Sequence, residues 1–185
     1  MKVFKIAVIF FVVFVVVLLI ITVSLPSESV IRRNIFINTP AKIPFGIVMD
    51  LKQWKDWFPI FAMDHSTKFI YEGKDSLLPY FMKWKSENPG VGEGKLKMRM
   101  SRQFKRIKVI ITLQNEKEGI LDFLFVENHN STKLILEFHS ELTFFEKWMG
   151  FMIDSIIGPT LESSLDRIKT ISEYINFKKE DKDKQ

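Results

Sequence analysis

Apolar residues run unbroken from Ile6 to Ile21, sixteen positions, and Thr22-Val23-Ser24-Leu25 carry the stretch to twenty. Roughly 20 residues of α-helix cross the hydrocarbon core of a bilayer, so residues 6–25 predict a transmembrane helix. Lys2 and Lys5 flank its start and Pro26 its end. A cleaved signal peptide shares the charged start, but its apolar part is about 7–15 residues long and closes on a small-residue site. Thr22-x-Ser24 imitates such a site poorly, and the length argues for an uncleaved anchor.

Beyond Pro26 the period of the pattern changes to two. Ile31, Arg33, Ile35 and Ile37 alternate with Arg32, Asn34, Phe36 and Asn38, which predicts a first strand over 29–38. Thr39-Pro40 reads as an N-cap followed by a first helical residue, with Pro44 moving the start nearer Ile43. The apolar positions Ile43, Ile47, Val48 and Leu51 fit one helix face. An aromatic segment, Trp54-Lys55-Asp56-Trp57-Phe58-Pro59, predicts another helical turn ending before Pro59. Strands are then expected over 68–73, 80–87, 95–102, 105–115, 120–127 and 134–142. The turn residues Asn88-Pro89-Gly90-Val91-Gly92-Glu93-Gly94, Glu118-Gly119 and Asn128–Thr132 separate them. In the fourth of these strands Ile107, Val109, Ile111 and Leu113 are expected to face inward.

After Leu142 the spacing becomes helical. Trp148, Met149, Met152, Ile153, Ile156, Ile157, Leu161, Leu165, Ile168, Ile171 and Ile175 recur at three- and four-residue steps. Glu162, Asp166, Arg167, Lys169 and Glu173 supply the opposite, solvated face. Gly158-Pro159 predicts a break or kink, because proline lacks the N–H and crowds the preceding turn. One strand, one or two helices, about six antiparallel strands and a long helix make an α+β domain with the helix packed across the sheet. The expected organisation is a cytoplasmic tail and anchor over 1–26, a folded domain over 27–177 and a charged flexible tail over 178–185.

Charge and cysteine content narrow the classes. With no cysteine among 185 residues, disulfides and thiol catalysis are excluded, while either redox compartment is allowed. The net charge of +5 is unevenly placed. From Lys83 to Lys108, nine basic residues stand against Glu87 and Glu93, net +7. Near a bilayer such a stretch attracts anionic headgroups by about 1 kcal/mol per basic residue; on a sheet it equally suits a solvated outer face. An anchor and the lack of any reader motif exclude nucleic acid as the partner. Lys2 and Lys5 nearly balance Arg32 and Arg33 across the anchor, and a short basic tail kept in the cytoplasm places residues 27–185 outside it.

The order and spacing of three segments resemble a known family. They are Val30-Ile31-Arg32-Arg33 before Ile35-Phe36-Ile37-Asn38-Thr39-Pro40, then Trp54-Lys55-Asp56-Trp57-Phe58-Pro59, and Met82-Lys83-Trp84-Lys85-Ser86 running into Gly92-Glu93-Gly94. Over residues 29–175 the chain resembles the membrane-anchored bacterial branch of the polyketide cyclase/dehydrase-like proteins, in the START-related (SRPBCC, Bet v 1-like) superfamily of helix-grip folds. It departs from them at Ile43-Pro44-Phe45, where such proteins usually have an uninterrupted helix start. The resemblance implies a curved antiparallel sheet gripping the C-terminal helix around an apolar cavity that binds a hydrophobic small molecule or lipid. It implies no particular chemistry, since one fold hosts many functions.

Met149, Met152, Ile153, Ile156 and Leu161 on the helix, with Trp57, Phe58, Tyr80, Met82 and Trp84 as walls, are the expected ligand-binding residues. Methionine and aromatic side chains adapt to varied apolar shapes, and they also fill ordinary cores. Glu137, His139 and Glu141 project from one face of the last strand about 7 Å apart. That pattern suits acid–base or metal chemistry, but Leu134, Leu136, Phe138 and Leu142 claim the opposite, helix-facing side. The trio is therefore expected on the wet face. Asp64-His65 is a candidate polar anchor in a loop near the pocket entrance, His129 sits in a turn, and Asn130-Ser131-Thr132 matches a glycosylation sequon. No phosphate-binding glycine loop or nucleophile motif occurs, so no cofactor, metal or catalytic residue is expected. A cyclase- or dehydratase-like enzyme and a protein-interaction module are the alternative readings on this fold.

Overall fold

The computed structural model describes residues 2–73, 80–114 and 117–182. A long apolar helix, α1 (Lys2–Ser24), leads into β1 (Glu28–Ile37). Two short helices, α2 (Lys42–Met49) and α3 (Trp54–Trp57), follow. Then come β2 (Lys68–Glu72), β3 (Phe81–Lys85), β4 (Glu93–Arg102), β5 (Arg106–Leu113), β6 (Glu118–Asn128), β7 (Ser131–Glu141) and α4 (Glu146–Lys182). All seven strands form one antiparallel sheet in the order β1-β7-β6-β5-β4-β3-β2. Successive strands from β2 to β7 are neighbours, and β1 closes against β7. The result is the expected α+β architecture, a curved sheet around a long C-terminal helix.

Alternation explains which side is which. Ile31 pairs with Phe138, Leu121 with Phe138, Phe123 with Leu136, Val109 with Leu121, Leu96 with Ile111, and Met82 with Leu96. These apolar residues share the inner face, where α4 lies on β1 and β7 and against α2 and α3. The lysines and arginines of β3, β4 and β5 alternate onto the outer face. Leu161, Leu165 and Ile168 of α4 are fully covered against this layer.

Four local features depart from the sequence reading. The α2 helix begins at Lys42, with Ala41 before it and no side-chain cap. Thr39 is not the cap, and its carbonyl instead accepts a hydrogen bond from the Thr132 hydroxyl at 2.7 Å. Pro44 is tolerated at the third helical position, where the N–H has no partner inside the helix in any case. Leu113, expected to face inward, lies exposed at the end of β5; Asn115 and its neighbour 116 lie outside the described residues. The charged residues 178–182 continue α4, with Asn176 Nδ2 donating to Glu180 Oε1 at 2.8 Å. Finally, α4 runs through Pro159 without interruption.

That continuity has a local cause. Arg33 of β1 lies across α4 at Gly158, one residue before the proline. Its Nη2 bonds Asp154 at 2.9 Å and its Nε bonds Glu162 at 2.6 Å. Asp154, Gly158 and Glu162 are successive i, i+4 positions on one face. The arginine thus clamps the turns before and after the missing backbone bond, and a Cβ at position 158 would overlap its guanidinium. Its pKa is raised above its ordinary value, chiefly by the bond to Asp154 and then by that to Glu162.

Candidate functional site

The interior between sheet and helices is built on the aromatic segment at α3. A single helical turn places Trp54 and Trp57 three residues apart on one face, both fully buried, while Lys55 and Asp56 point to solvent. Pro59 ends the turn and starts a short 3-10 helix whose Phe61 is also buried. Both indoles meet Phe123 of β6 edge-on, and Phe58, Phe61 and Trp84 continue the contact chain with ring centroids 5.3–5.5 Å apart. Such edge-to-face pairs contribute ~0.5–1.5 kcal/mol each beyond burial. Trp84 of β3 lies over Gly94 of β4, and a Cβ at Gly94 would strike its ring. The Trp84…Gly94 combination read from the sequence is therefore a packing requirement.

The four indole N–H groups are not equally served. Trp54 donates to the Val48 carbonyl at 2.9 Å, Trp84 to the Val91 carbonyl at 3.3 Å, and Trp148 to the Thr22 hydroxyl at 2.9 Å. Trp57 Nε1 is buried and has no acceptor among the described residues. An unmatched buried donor costs about 1–3 kcal/mol; among the described residues the Thr39 hydroxyl is likewise buried without a partner, and Trp57 Nε1 is the unmatched donor among the aromatic residues of the interior.

The ten predicted ligand residues divide by position. Trp57, Phe58, Met82, Trp84 and Leu161 are buried together in the interior, and Ile153 packs half-buried against it. Tyr80 is half-exposed just before β3. Met149, Met152 and Ile156 face outward from the first half of α4. Helical spacing identified an apolar stripe, but not which of two adjacent stripes the sheet covers.

Glu137, His139 and Glu141 fall on the outer face, as their alternation requires. His139 bonds Glu28 at 2.9 Å and Glu137 at 3.4 Å, and Arg32 approaches Glu137 at 3.3 Å. Sequence reasoning missed the group beside them, Asp122 of β6, whose side chain is completely covered. Arg106 grips it through two hydrogen bonds, at 2.9 and 2.5 Å, and Lys108 reaches it at 3.0 Å. Burial pushes this carboxyl up, but the hydrogen bonds from Arg106 and Lys108 outweigh it and hold the group below its ordinary value. Ligand atoms of Asp122, Glu137 and His139 come within 4.8 Å of one another, yet both oxygens of Asp122 are already taken by these two cations. The signal available in the sequence was a lone acid within the apolar run Ile120-Leu121-Asp122-Phe123-Leu124; its pairing opposite Lys108 came from the fold.

Asp64 ties its loop to the β3–β4 turn. It accepts hydrogen bonds from the Ser86 hydroxyl and from the Ser66 hydroxyl and amide, which lower its pKa, Ser86 most of all. His129 occupies the β6–β7 turn with a positive φ of 54°. Two clefts open elsewhere. One, of about 440 Å³, lies on the outer side of β2–β5 among Lys68, Lys83, Lys85 and Lys95, with Ile70 and Leu113 beside them. The other, of about 540 Å³, lies where α1 meets the domain, between Leu25, Pro26, Leu142 and Trp148.

This layout of sheet and helix is shared with solved structures. The di-domain ARO/CYC StfQ from the steffimycin biosynthetic pathway matches with a TM-score of 0.62 at 10% identity, over 80% of this chain and 52% of StfQ. Zhui aromatase/cyclase from Streptomyces sp. R1128 matches at 0.55 and 11% identity, over 79% of this chain and 94% of that one. The chain has the helix-grip fold of these aromatase/cyclases. A Staphylococcus aureus protein of unknown function, SA2116, shares that helix-grip fold at a TM-score of 0.60 and 12% identity, over 80% and 97% of the two chains. At such identities the likeness is one of fold. No family model matches the chain, and no curated protein matches it in sequence.

Proposed function

We propose that this protein binds a hydrophobic small molecule or lipid between the sheet and α4, while α1 holds it at a membrane. The observation that carries this reading is Trp57, a buried donor without an acceptor among the described residues, in an apolar interior that also holds Phe58, Met82, Trp84 and Leu161. A ligand that fits is largely apolar and carries one oxygen able to accept from Nε1. The helix-grip fold, shared with proteins named as aromatase/cyclases, supports an apolar occupant. Binding is favoured over acid–base catalysis because Asp122, the buried carboxylate among the described residues, lies on the opposite face of the sheet. α1 supports the membrane role by length and composition, and we place the folded domain on the extracytoplasmic side because Lys2 and Lys5 lie at the start of α1.

The test weighs what the purified full chain retains. Protein extracted from membranes is exchanged exhaustively through detergent, and the remaining small molecules are quantified by mass spectrometry. The expected result is a near-equimolar apolar molecule containing an oxygen acceptor, held about fivefold more weakly by Trp57→Phe, the loss of one hydrogen bond. Equal recovery of mixed membrane lipid from both proteins, with nothing stoichiometric, would mean that the aromatic interior is simply a filled core.

A further inference from the structure

The first half of α4 presents its apolar side outward. Phe145, Trp148, Met149, Met152 and Ile156 recur at helical spacing, with exposures from 41% for Trp148 to 81% for Phe145, and Phe144 adjoins them. In the second half of the same helix the pattern is the usual one, with Leu161, Leu165 and Ile168 covered and Glu162 and Asp166 exposed. An apolar helical stripe facing away from its own core calls for a second covering surface.

The position of this stripe indicates which surface that is. Trp148 Nε1 donates to the Thr22 hydroxyl, which in turn donates to the Leu18 carbonyl at 2.8 Å. Thr22 belongs to the last turn of α1, so α4 starts beside the end of the apolar helix. Val15, Leu18 and Thr22 lie on one side of α1 and are less exposed than the residues around them. The charges nearby are compatible with a headgroup layer. Glu146 is paired with Lys117 and Asp154 with Arg33, which leaves Lys147 as the basic group beside Trp148. Tryptophan and phenylalanine flanked by lysine are residues typical of the bilayer interface.

We propose that the first three turns of α4 are a second membrane contact, lying in the interfacial layer of the leaflet where α1 ends. The proposal rests on α1 being a membrane anchor. It gives the domain two attachments, a spanning helix and a helix lying against the surface, and so fixes the orientation of the sheet to the bilayer.

The absence of cysteine makes single-site labelling unambiguous. Full-length variants Phe145→Cys, Met152→Cys and Ile156→Cys are spin-labelled in liposomes and their accessibility to oxygen and to a water-soluble nickel chelate is measured. Phe14→Cys in α1 serves as the lipid reference and Val126→Cys, exposed on the outer face of β6, as the aqueous reference. All five side chains lie exposed on the protein surface, and circular dichroism verifies folding. The expected result is an oxygen-to-nickel ratio at 145, 152 and 156 severalfold above that at 126 and approaching that at 14. A high ratio at 14 with water-like values on α4 overturns the second contact and leaves the anchor standing. Protection from both reagents on α4 overturns it in favour of a protein covering. A water-like value at 14 defeats the anchor reading, and the proposal with it.

Discussion

Gly158 carries no side chain because the Arg33 guanidinium occupies the space where one would stand. Glycine in a helix interior ordinarily costs about 1 kcal/mol relative to alanine, so position 158 is a site where contact overrides propensity. Gly158→Ala is expected to push the guanidinium aside and weaken its bonds to Asp154 and Glu162, so that the protein gains less than the about 1 kcal/mol that helix propensity alone would give. In an Arg33→Ala background nothing offsets that gain, and the alanine stabilises by up to about 1 kcal/mol. Urea unfolding of the four proteins of this cycle, followed by circular dichroism in micelles, reads both values. Additive effects would show that arginine and glycine do not interact. Sequence reading singled out Gly158-Pro159 as a break, because it saw the missing N–H and could not see a partner 125 positions earlier, Arg33, bracing the helix from β1.

α4 combines two amphipathic halves with different partners, and its start is set by a local device. Glu146 Oε2 accepts the Thr143 amide at 2.8 Å, the carboxylate half of a Thr-x-x-Glu capping box, and the Lys147 amide donates to the Thr143 carbonyl at 3.1 Å as the first helical backbone bond. Lys117 bonds the same carboxylate, and this pair, with the Thr143 amide behind it, lowers the Glu146 pKa to about 2. The sign follows. A carboxyl depressed from about 4.3 keeps its contribution above that range and loses it as pH falls through about 2. Glu146→Ala is expected to remove about 1 kcal/mol of helix stability and to raise amide exchange over residues 143–148 at neutral pH. Unchanged exchange there would show the cap to be idle. This box was legible in the sequence as Thr143-Phe144-Phe145-Glu146, although helical spacing alone drew attention to the residues after it.

Across the whole molecule, Asp122 joins the central strands on the side away from α4. It bonds Arg106 and Lys108 of β5 and sits opposite Glu137 of β7. Asp122→Asn is expected to cost about 2 kcal/mol at neutral pH, below the ~3–5 typical of a fully buried pair because both cations remain about one-third exposed. Because the folded carboxyl titrates below its unfolded value, wild type holds this advantage above about pH 4 and loses it as pH falls through the folded pKa. Denaturant melts at neutral pH and in acid should therefore converge for the two proteins. A gap that persists in acid would assign Asp122 a packing role instead.

The sequence by itself determined the order of elements, the two faces of each strand, the membrane-length helix and the outward placement of Glu137, His139 and Glu141, because period-two and period-3.6 patterns are local. The resemblance in Trp54–Pro59 and Met82–Gly94 pointed to the helix-grip fold for a related reason. Within each segment residues pack on one another, Trp84 over Gly94 and Trp54 against Trp57. Tertiary structure alone decided which α4 stripe turns inward, that Arg33 bridges the helix at Pro159, that Asp122 is buried between cations, and that Trp57 lacks, among the described residues, the acceptor its three fellow tryptophans have. Each of these depends on atoms brought together from distant parts of the chain, and a helix with apolar residues on two neighbouring stripes is ambiguous until the sheet and α1 have taken their places beside it.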